Sequence, residues 1–185
     1  MFKAQRKRPE GPSSCPPVVI APPFEIIPCI SFVVSARETP LVTIRGGNER
    51  LTILLVEDDE ADVFFFRRCL SHLGSDAHVH VVESATLARL YLEGAAPYTD
   101  RHYYPLPHLI IADLNLGSGT AHALCEWIFL QPAFKHIPCF VYTGRLRPAD
   151  EALLKGFVTG VYQKNGDFNQ AQQIVSQMLR HLPSA

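Results

Sequence analysis

The sequence LTILLVEDD at residues 51–59 decides the fold, because a nearly all-apolar run ends there in three consecutive carboxylates. An apolar run without alternation is typical of a parallel strand that is covered on both of its faces. Residues 60–73 then place apolar side chains at helical spacing, and Gly74 follows as a stop signal. A buried strand followed by an amphipathic helix predicts the first unit of an α/β fold.

The same order of strand and helix recurs along the rest of the chain. Further strands are predicted at 78–82, 109–112, 139–142 and 158–163, and further helices at about 84–94, 120–130, 148–157 and 168–182. Five such units predict a doubly wound, five-stranded parallel sheet with helices on both faces. In open sheets of this kind, ligands bind at the carboxyl ends of the strands.

Residues 1–50 differ in composition from the compact domain that we expect at 51–185. Prolines recur through this stretch, and each one removes an amide donor and fixes φ, so we expect a disordered, proline-rich leader and linker. Prolines also interrupt its long apolar run at 18–34, which argues against a transmembrane span and a signal peptide. We therefore expect a cytoplasmic protein without a membrane partner. Whether the leader belongs to the mature protein stays open.

Charge and cysteine content argue against several other classes of protein. The net charge is −1, so the overall field attracts neither nucleic acid nor an acidic membrane surface, and we expect no nucleic-acid partner. The five cysteines include no CxxC pair, so neither a zinc knuckle nor a disulfide framework is predicted. Reduced structural thiols are the simplest interpretation.

Polar side chains follow four of the five predicted strands, at the point where each strand ends. They are Glu57, Asp58 and Asp59 after the first strand, Asp113 after the third, Thr143 after the fourth and Lys164 after the fifth. Because the carboxyl ends of parallel strands meet at one edge of a sheet, we expect these groups to converge there.

The chemistry of such an edge follows from its charges. Clustered carboxylates repel one another, and a hard divalent cation such as Mg²⁺ relieves the repulsion with few protein ligands. A carboxylate beside such a cation is a competent nucleophile toward a phosphoryl group, and the product is an aspartyl phosphate. The cation and an ammonium group offset charge on the transferring oxygens. The residues therefore predict a magnesium-dependent site that accepts a phosphoryl group.

Several segments carry a resemblance to a known family. They are LLVEDD at 54–59, LIIADLNL at 109–116, IPCFVYT at 137–143, Lys164, and an insertion at 91–101 with 105–107. Together the first four resemble the receiver domain of bacterial response regulators (the CheY-like family), whose flavodoxin-like sheet has the strand order 2-1-3-4-5. The insertion is similar to that of single-domain members paired with phytochrome-like sensor kinases.

The resemblance implies a role for most residues of the acidic edge. Asp113 matches the phosphoacceptor. Glu57 and Asp58 match the acidic pair that holds Mg²⁺, with Asp58 as the direct ligand. Asn115 matches the position whose backbone carbonyl completes the metal site, next to Asp113 as a further ligand. Asp59 is interpreted as a solvated carboxylate.

The resemblance also assigns the remaining polar residues and exposes two departures. Thr143 matches the hydroxyl that moves toward the phosphoryl group, and Lys164 matches the lysine that pairs with it. Asn165 replaces a proline that usually follows in a cis bond, so this loop is either trans or forms its own Asn-Gly turn. Val161 replaces an aromatic residue that swings inward, and alternation points Tyr162 to the other face. We therefore expect the usual hydroxyl–aromatic coupling to be weak.

The resemblance implies a single-domain response regulator of a two-component phosphorelay, which catalyses only its own phosphorylation and dephosphorylation. A phytochrome-like or other sensor histidine kinase, or a histidine phosphotransfer protein, would donate the phosphoryl group. With only residues 183–185 after the last helix, we expect no C-terminal output domain, and an unidentified protein would receive the signal. Homodimer formation stays open.

Two alternative functions stay open. A haloacid-dehalogenase-like phosphatase also forms an aspartyl phosphate on a doubly wound sheet, but it requires an aspartate two positions after its nucleophile, where this chain has Asn115. A phosphorylation-independent receiver that acts as a protein-binding module would be consistent with Asn165 and Val161.

Overall fold

A computed structural model describes residues 50–116 and 119–183. The leader predicted at 1–50 lies outside the described residues except for Arg50. The elements are β1 (Thr52–Val56), α1 (Glu60–His72), β2 (His78–Val82), α2 (Ala85–Glu93), β3 (Leu109–Ala112), β4 (Asn115–Leu116), β5 (Gly119–Thr120), α3 (Ala121–Leu130), β6 (Cys139–Thr143), α4 (Pro148–Leu154), β7 (Gly160–Gln163) and α5 (Phe168–Leu179). In this part of the chain no helix is long and apolar enough to cross a membrane.

Five strands form one parallel sheet in the order β2-β1-β3-β6-β7. Counted within this sheet alone, the order is 2-1-3-4-5, so the predicted flavodoxin-like fold is confirmed. The numbers differ because β4 and β5 pair with each other as a separate antiparallel hairpin directly after β3. This hairpin was not predicted, since a strand of two residues carries no periodic pattern.

The core consists of two layers, one on each face of the sheet. Ile53 and Leu55 of β1 pack with α1 and α5, whereas Leu54 and Val56 pack with α2, α3 and α4. This division follows the alternation of side chains along a strand. Every residue of β1 is buried, as its unbroken apolar run predicted. The first strand is therefore enclosed by the core up to the residue that precedes Glu57.

Helix boundaries follow local capping chemistry. The Asp59 side chain accepts a hydrogen bond from the backbone amide of Ala61 at 2.8 Å, so this carboxylate is the N-cap of α1. Helix α4 ends at Leu154 rather than at the predicted residue 157, because Lys155 leaves the helical conformation and Gly156 has φ +98°. As a result, β7 begins at 160, two residues later than predicted.

The insertion after α2 is held against the domain by one arginine. The Arg101 guanidinium donates to the backbone carbonyls of Tyr91, Leu92 and Tyr104 at 2.8, 2.6 and 3.1 Å. The buried Tyr91 hydroxyl donates to the carbonyl of Pro105 at 2.8 Å. The C-terminal carbonyls of α2 are thus satisfied by a charged side chain from the insertion itself.

Replacing Arg101 by alanine is expected to lower the free energy of unfolding by about 2–3 kcal/mol, because three carbonyls lose a charged donor. Urea unfolding at neutral pH measures the change. Arg101→Lys serves as the control and should recover only part of the loss, because an ammonium cannot reproduce the planar fork. An alanine variant as stable as the parent would show that water replaces these bonds without cost.

Candidate functional site

The predicted residues of the acidic edge lie together at the carboxyl end of the sheet. Glu57 follows β1, Asp113 follows β3, Thr143 is the last residue of β6, and Lys164 follows β7. These four strands are consecutive neighbours in the sheet, so their ends form one continuous edge. Glu57, Asp113 and Thr143 are all buried, which is uncommon for polar side chains unless they are paired.

Lys164 is the centre of this site. Its Nζ donates to Glu57 Oε2 at 2.6 Å, to Asp62 Oδ2 at 2.8 Å and to Asp113 Oδ2 at 3.2 Å. An ammonium group has three protons, so all of its donors are used on carboxylates. One cation therefore holds together acidic groups from β1, α1 and β3.

Ionisation in the site reflects a balance between burial and pairing. Burial opposes the charge on Lys164, but its bonds to Asp62 and Glu57 outweigh it, and the pKa of Lys164 is raised. Burial likewise disfavours the charged form of Asp113, yet the Thr143 hydroxyl and the Lys164 charge prevail, and the pKa of Asp113 is lowered. For Glu57 burial is the stronger effect, assisted by the charge on Asp113, so its pKa is raised. Asp113 is thus held ionised at neutral pH.

Asn115 and Thr143 form a polar bridge beside Asp113. The Asn115 side-chain amide donates to Thr143 Oγ1 at 3.2 Å, and the Asn115 backbone amide donates to Asp113 Oδ1 at 3.2 Å. Asn115 is exposed, whereas the Thr143 side chain is fully buried. Asn115 therefore links the Thr143 hydroxyl to Asp113, the predicted phosphoacceptor. The proposed role of the Asn115 carbonyl as a metal ligand stays a prediction.

The carboxylate oxygens of Glu57, Asp62 and Asp113 lie within 4.8 Å of one another. Asp58, which is exposed, is not in this group, and its role as the direct metal ligand stays a prediction. Asp62 is a residue that the sequence did not assign. Its signal was the N-cap at Asp59, which fixes where α1 begins and so places the third residue of the helix beside the acidic edge.

The acidic group has the donor chemistry that a divalent cation requires. Its ligands are carboxylate oxygens, which are the hard donors that Mg²⁺ prefers. Three carboxylates share the single ammonium of Lys164, so the group keeps a net negative charge. The residues present therefore fit a divalent cation, which Glu57 and Asp113 would hold with buried oxygens.

The two departures have clear structural outcomes. Val161 packs into the core layer of α2, α3 and α4, and Tyr162 packs on the opposite layer, with its ring 6.0 Å from that of Phe140. This confirms the predicted alternation. The only cis peptide among residues 50–116 and 119–183 is Ala96–Pro97, so the bond after Lys164 is trans. Gly166, at φ +78°, makes the turn instead.

Comparison with known proteins gives solved structures alone, since no protein-family model and no curated protein sequence matches the chain. The phosphorylated cyanobacterial phytochrome response regulator RcpA matches with a TM-score of 0.65 and 26% identity, over 73% of this chain and 99% of RcpA. The Mn²⁺-bound form of the response regulator Rcp1 matches with a TM-score of 0.63 and 24% identity, over 72% and 99%. A response regulator in red light signaling of R. palustris has a TM-score of 0.66 and 14% identity, over 73% and 99%.

The parallel sheet defines the class as a doubly wound α/β domain, with an acidic edge at the carboxyl ends of its strands. More particularly, the chain has the fold of response regulator receiver domains, and phytochrome and bacteriophytochrome response regulators are among the structures that match it. The resemblance indicated by the sequence motifs is therefore confirmed.

Proposed function

We propose that the protein is a single-domain response regulator that accepts a phosphoryl group on Asp113 and signals through phosphorylation-dependent contact with another protein. The observation that carries this proposal is the state of Asp113. Its carboxylate is ionised, buried, 3.2 Å from the Lys164 ammonium and adjacent to the Thr143 hydroxyl. Under this proposal, Asp113 would be the nucleophile, Lys164 its cationic partner and Thr143 a hydrogen-bond donor to the phosphoryl group.

In the proposed reaction, an Asp113 carboxylate oxygen attacks phosphorus, and the bond between phosphorus and the leaving group breaks. Lys164 offsets the charge on the phosphoryl oxygens, which otherwise would face Glu57. Thr143 then moves toward the new acceptor oxygens. Glu57, Asp58 and Asp113, with the Asn115 backbone carbonyl, would hold Mg²⁺, which would supply further charge neutralisation.

The relatives support the input side of the proposal. RcpA, which is 26% identical, is a phytochrome response regulator whose structure was solved in the phosphorylated state. We propose by analogy that a sensor histidine kinase of the phytochrome-like kind, or a histidine phosphotransfer protein, donates the phosphoryl group. We further propose that the receiver domain spans 51–185, follows a leader at 1–50, and acts in the cytoplasm.

Incubation with acetyl phosphate tests the proposal directly. The expected products are acetate and a protein heavier by one phosphoryl group, seen by intact mass spectrometry in the presence of Mg²⁺. Chelation by EDTA should suppress the adduct, because the transferring phosphoryl oxygens then lose the charge neutralisation that the bound ion would supply. A protein that gains no mass from acetyl phosphate or from a phosphorylated sensor kinase would contradict the proposal.

A second candidate function is a receiver that binds its partner without phosphorylation. Val161 favours it, because a half-buried aliphatic side chain cannot follow a moving hydroxyl as an aromatic ring would. The two functions differ in one measurable respect. A phosphorylation-independent module binds its partner equally well before and after acetyl phosphate treatment, whereas the proposed switch changes affinity.

A further inference from the structure

Asp62 is the acidic residue of the site that has no role in the reaction described above. It is the third residue of α1 and accepts a hydrogen bond from Lys164 Nζ at 2.8 Å. Its side chain is 40% exposed, whereas those of Glu57 and Asp113 are only 3% and 11% exposed. The Asp62 carboxylate therefore stays hydrated and can follow the ammonium at little desolvation cost.

Lys164 and a divalent cation require the same oxygens. The ammonium bonds to Glu57 at 2.6 Å and to Asp113 at 3.2 Å, and these are the two buried carboxylates proposed to hold Mg²⁺. A doubly charged ion on those groups repels the ammonium. An ammonium that is displaced from its partners inside a partly buried site is destabilised unless it pairs with another anion.

We infer that Asp62 is a positioning residue that retains the Lys164 ammonium beside the site when a divalent cation occupies Glu57 and Asp113. The inference rests on the function proposed above. In the metal-free protein, Lys164 shares its charge among three carboxylates. In the metal-bound protein, Asp62 is the carboxylate of these three that can still pair with the Lys164 ammonium. The Lys164–Asp62 pair therefore contributes more to the metal-bound state.

This difference gives Asp62 control over metal affinity without contact to the metal. Removing the Asp62 carboxylate weakens Mg²⁺ binding, because the displaced ammonium then has no anionic partner among the three carboxylates. Asp62 also keeps Lys164 close to Asp113, where the ammonium meets the phosphoryl oxygens after transfer. The competing arrangement is that Asp62 itself ligates the cation, since its oxygens lie within 4.8 Å of those of Glu57 and Asp113.

A double-mutant cycle separates the two arrangements. Mg²⁺ affinity is measured by calorimetry for the parent, Asp62→Asn, Lys164→Met and the double variant. Positioning through Lys164 predicts that Asp62→Asn weakens binding about fivefold in the parent but less than about twofold in the Lys164→Met background. Glu60→Gln is the matched control, because it removes one charge from the same helical turn, and it should change affinity less than about twofold.

A second measurement does not depend on the stability of the Lys164 variant. In the Mg²⁺-saturated parent, the Lys164 ammonium should give a protected ¹⁵N–¹H signal in NMR, because it stays bonded to Asp62. Asp62→Asn should abolish that protection, whereas Glu60→Gln should retain it. Circular dichroism confirms that each variant is folded.

The outcomes are distinct for the inference and for the function on which it rests. An equal loss of affinity in both lysine backgrounds would make Asp62 a direct ligand and overturn the positioning role. If Asp62→Asn changes Mg²⁺ affinity no more than Glu60→Gln does, the positioning role is also overturned. In both cases the proposed function stands as long as the parent binds Mg²⁺. A parent protein that binds no Mg²⁺ would overturn both.

Discussion

Replacing Asp113 by asparagine is expected to abolish the phosphoryl adduct, with a loss of at least about 100-fold in the rate of transfer from acetyl phosphate. The physical reason is that a neutral amide offers no anionic oxygen to phosphorus. The substitution nearly preserves shape, and Lys164 keeps two carboxylate partners, Glu57 and Asp62. Intact mass spectrometry over a time course measures the rate.

Asp59→Asn is the matched control for this substitution. It makes the same chemical change two residues after Glu57, and asparagine caps a helix as well as aspartate does, so α1 should remain intact. This variant should acquire the adduct at a rate close to that of the parent. A single adduct that persists on Asp113→Asn would mean that another side chain is the acceptor.

Replacing Lys164 by methionine is expected to destabilise the metal-free protein by about 3 kcal/mol at neutral pH. The reason is that Glu57, Asp62 and Asp113 keep their negative charges but lose the cation that they share. Mg²⁺ should restore much of the loss, because an ion that binds only the folded state stabilises it by mass action. Urea unfolding in EDTA and in excess Mg²⁺ measures both effects.

The pH dependence of this variant has a definite sign. In the parent, the lowered pKa of Asp113 contributes stability above its unfolded value of 3.8, and that contribution is lost as the pH falls. Without the ammonium, burial and mutual repulsion should raise the pKa of Asp113 above its unfolded value and should raise the pKa of Glu57, which is already raised in the parent, still further. The folded variant then binds more protons, so its stability should fall as the pH rises from about 5 to neutrality. A variant whose stability in EDTA equals that of the parent at every pH would show that the ammonium does not offset these charges.

The fold could be predicted from the sequence because its pattern is strong and repeated. Residues 51–56 are apolar throughout, and their burial in two core layers is what such a run requires. The predicted bounds of β2 and β3 agree with the structure, and the helix predicted at about 84–94 corresponds to α2 together with its N-cap Ser84 and its C-cap Gly94. The boundary of α4 was not, since the apolar pattern continues through Phe157 while the backbone turns at Gly156.

The site could be predicted in part, for a physical reason. The predicted site residues stand at the carboxyl ends of strands: Thr143 is the last residue of β6, and the residues directly after β1, β3 and β7 are Glu57, Asp113 and Lys164. The strand ends of a parallel sheet converge whatever the detail of side-chain packing. Asp62 lies on a helix, so its approach to Lys164 depends on the rotation of α1. That rotation is set by the N-cap of α1 and by packing against α5, and only the N-cap is a signal in the sequence.

Lys164 reaches its partners across long stretches of chain, with 107 positions separating it from Glu57, 102 from Asp62 and 51 from Asp113. A growing polypeptide therefore contains Asp113, the proposed acceptor, for 51 further residues of synthesis before Lys164, which balances its charge, has been added. Contacts of such high sequence separation also slow folding, because the chain loses entropy when it closes such long loops. Under the proposed function, the nascent protein stays unreactive until its final strand is in place.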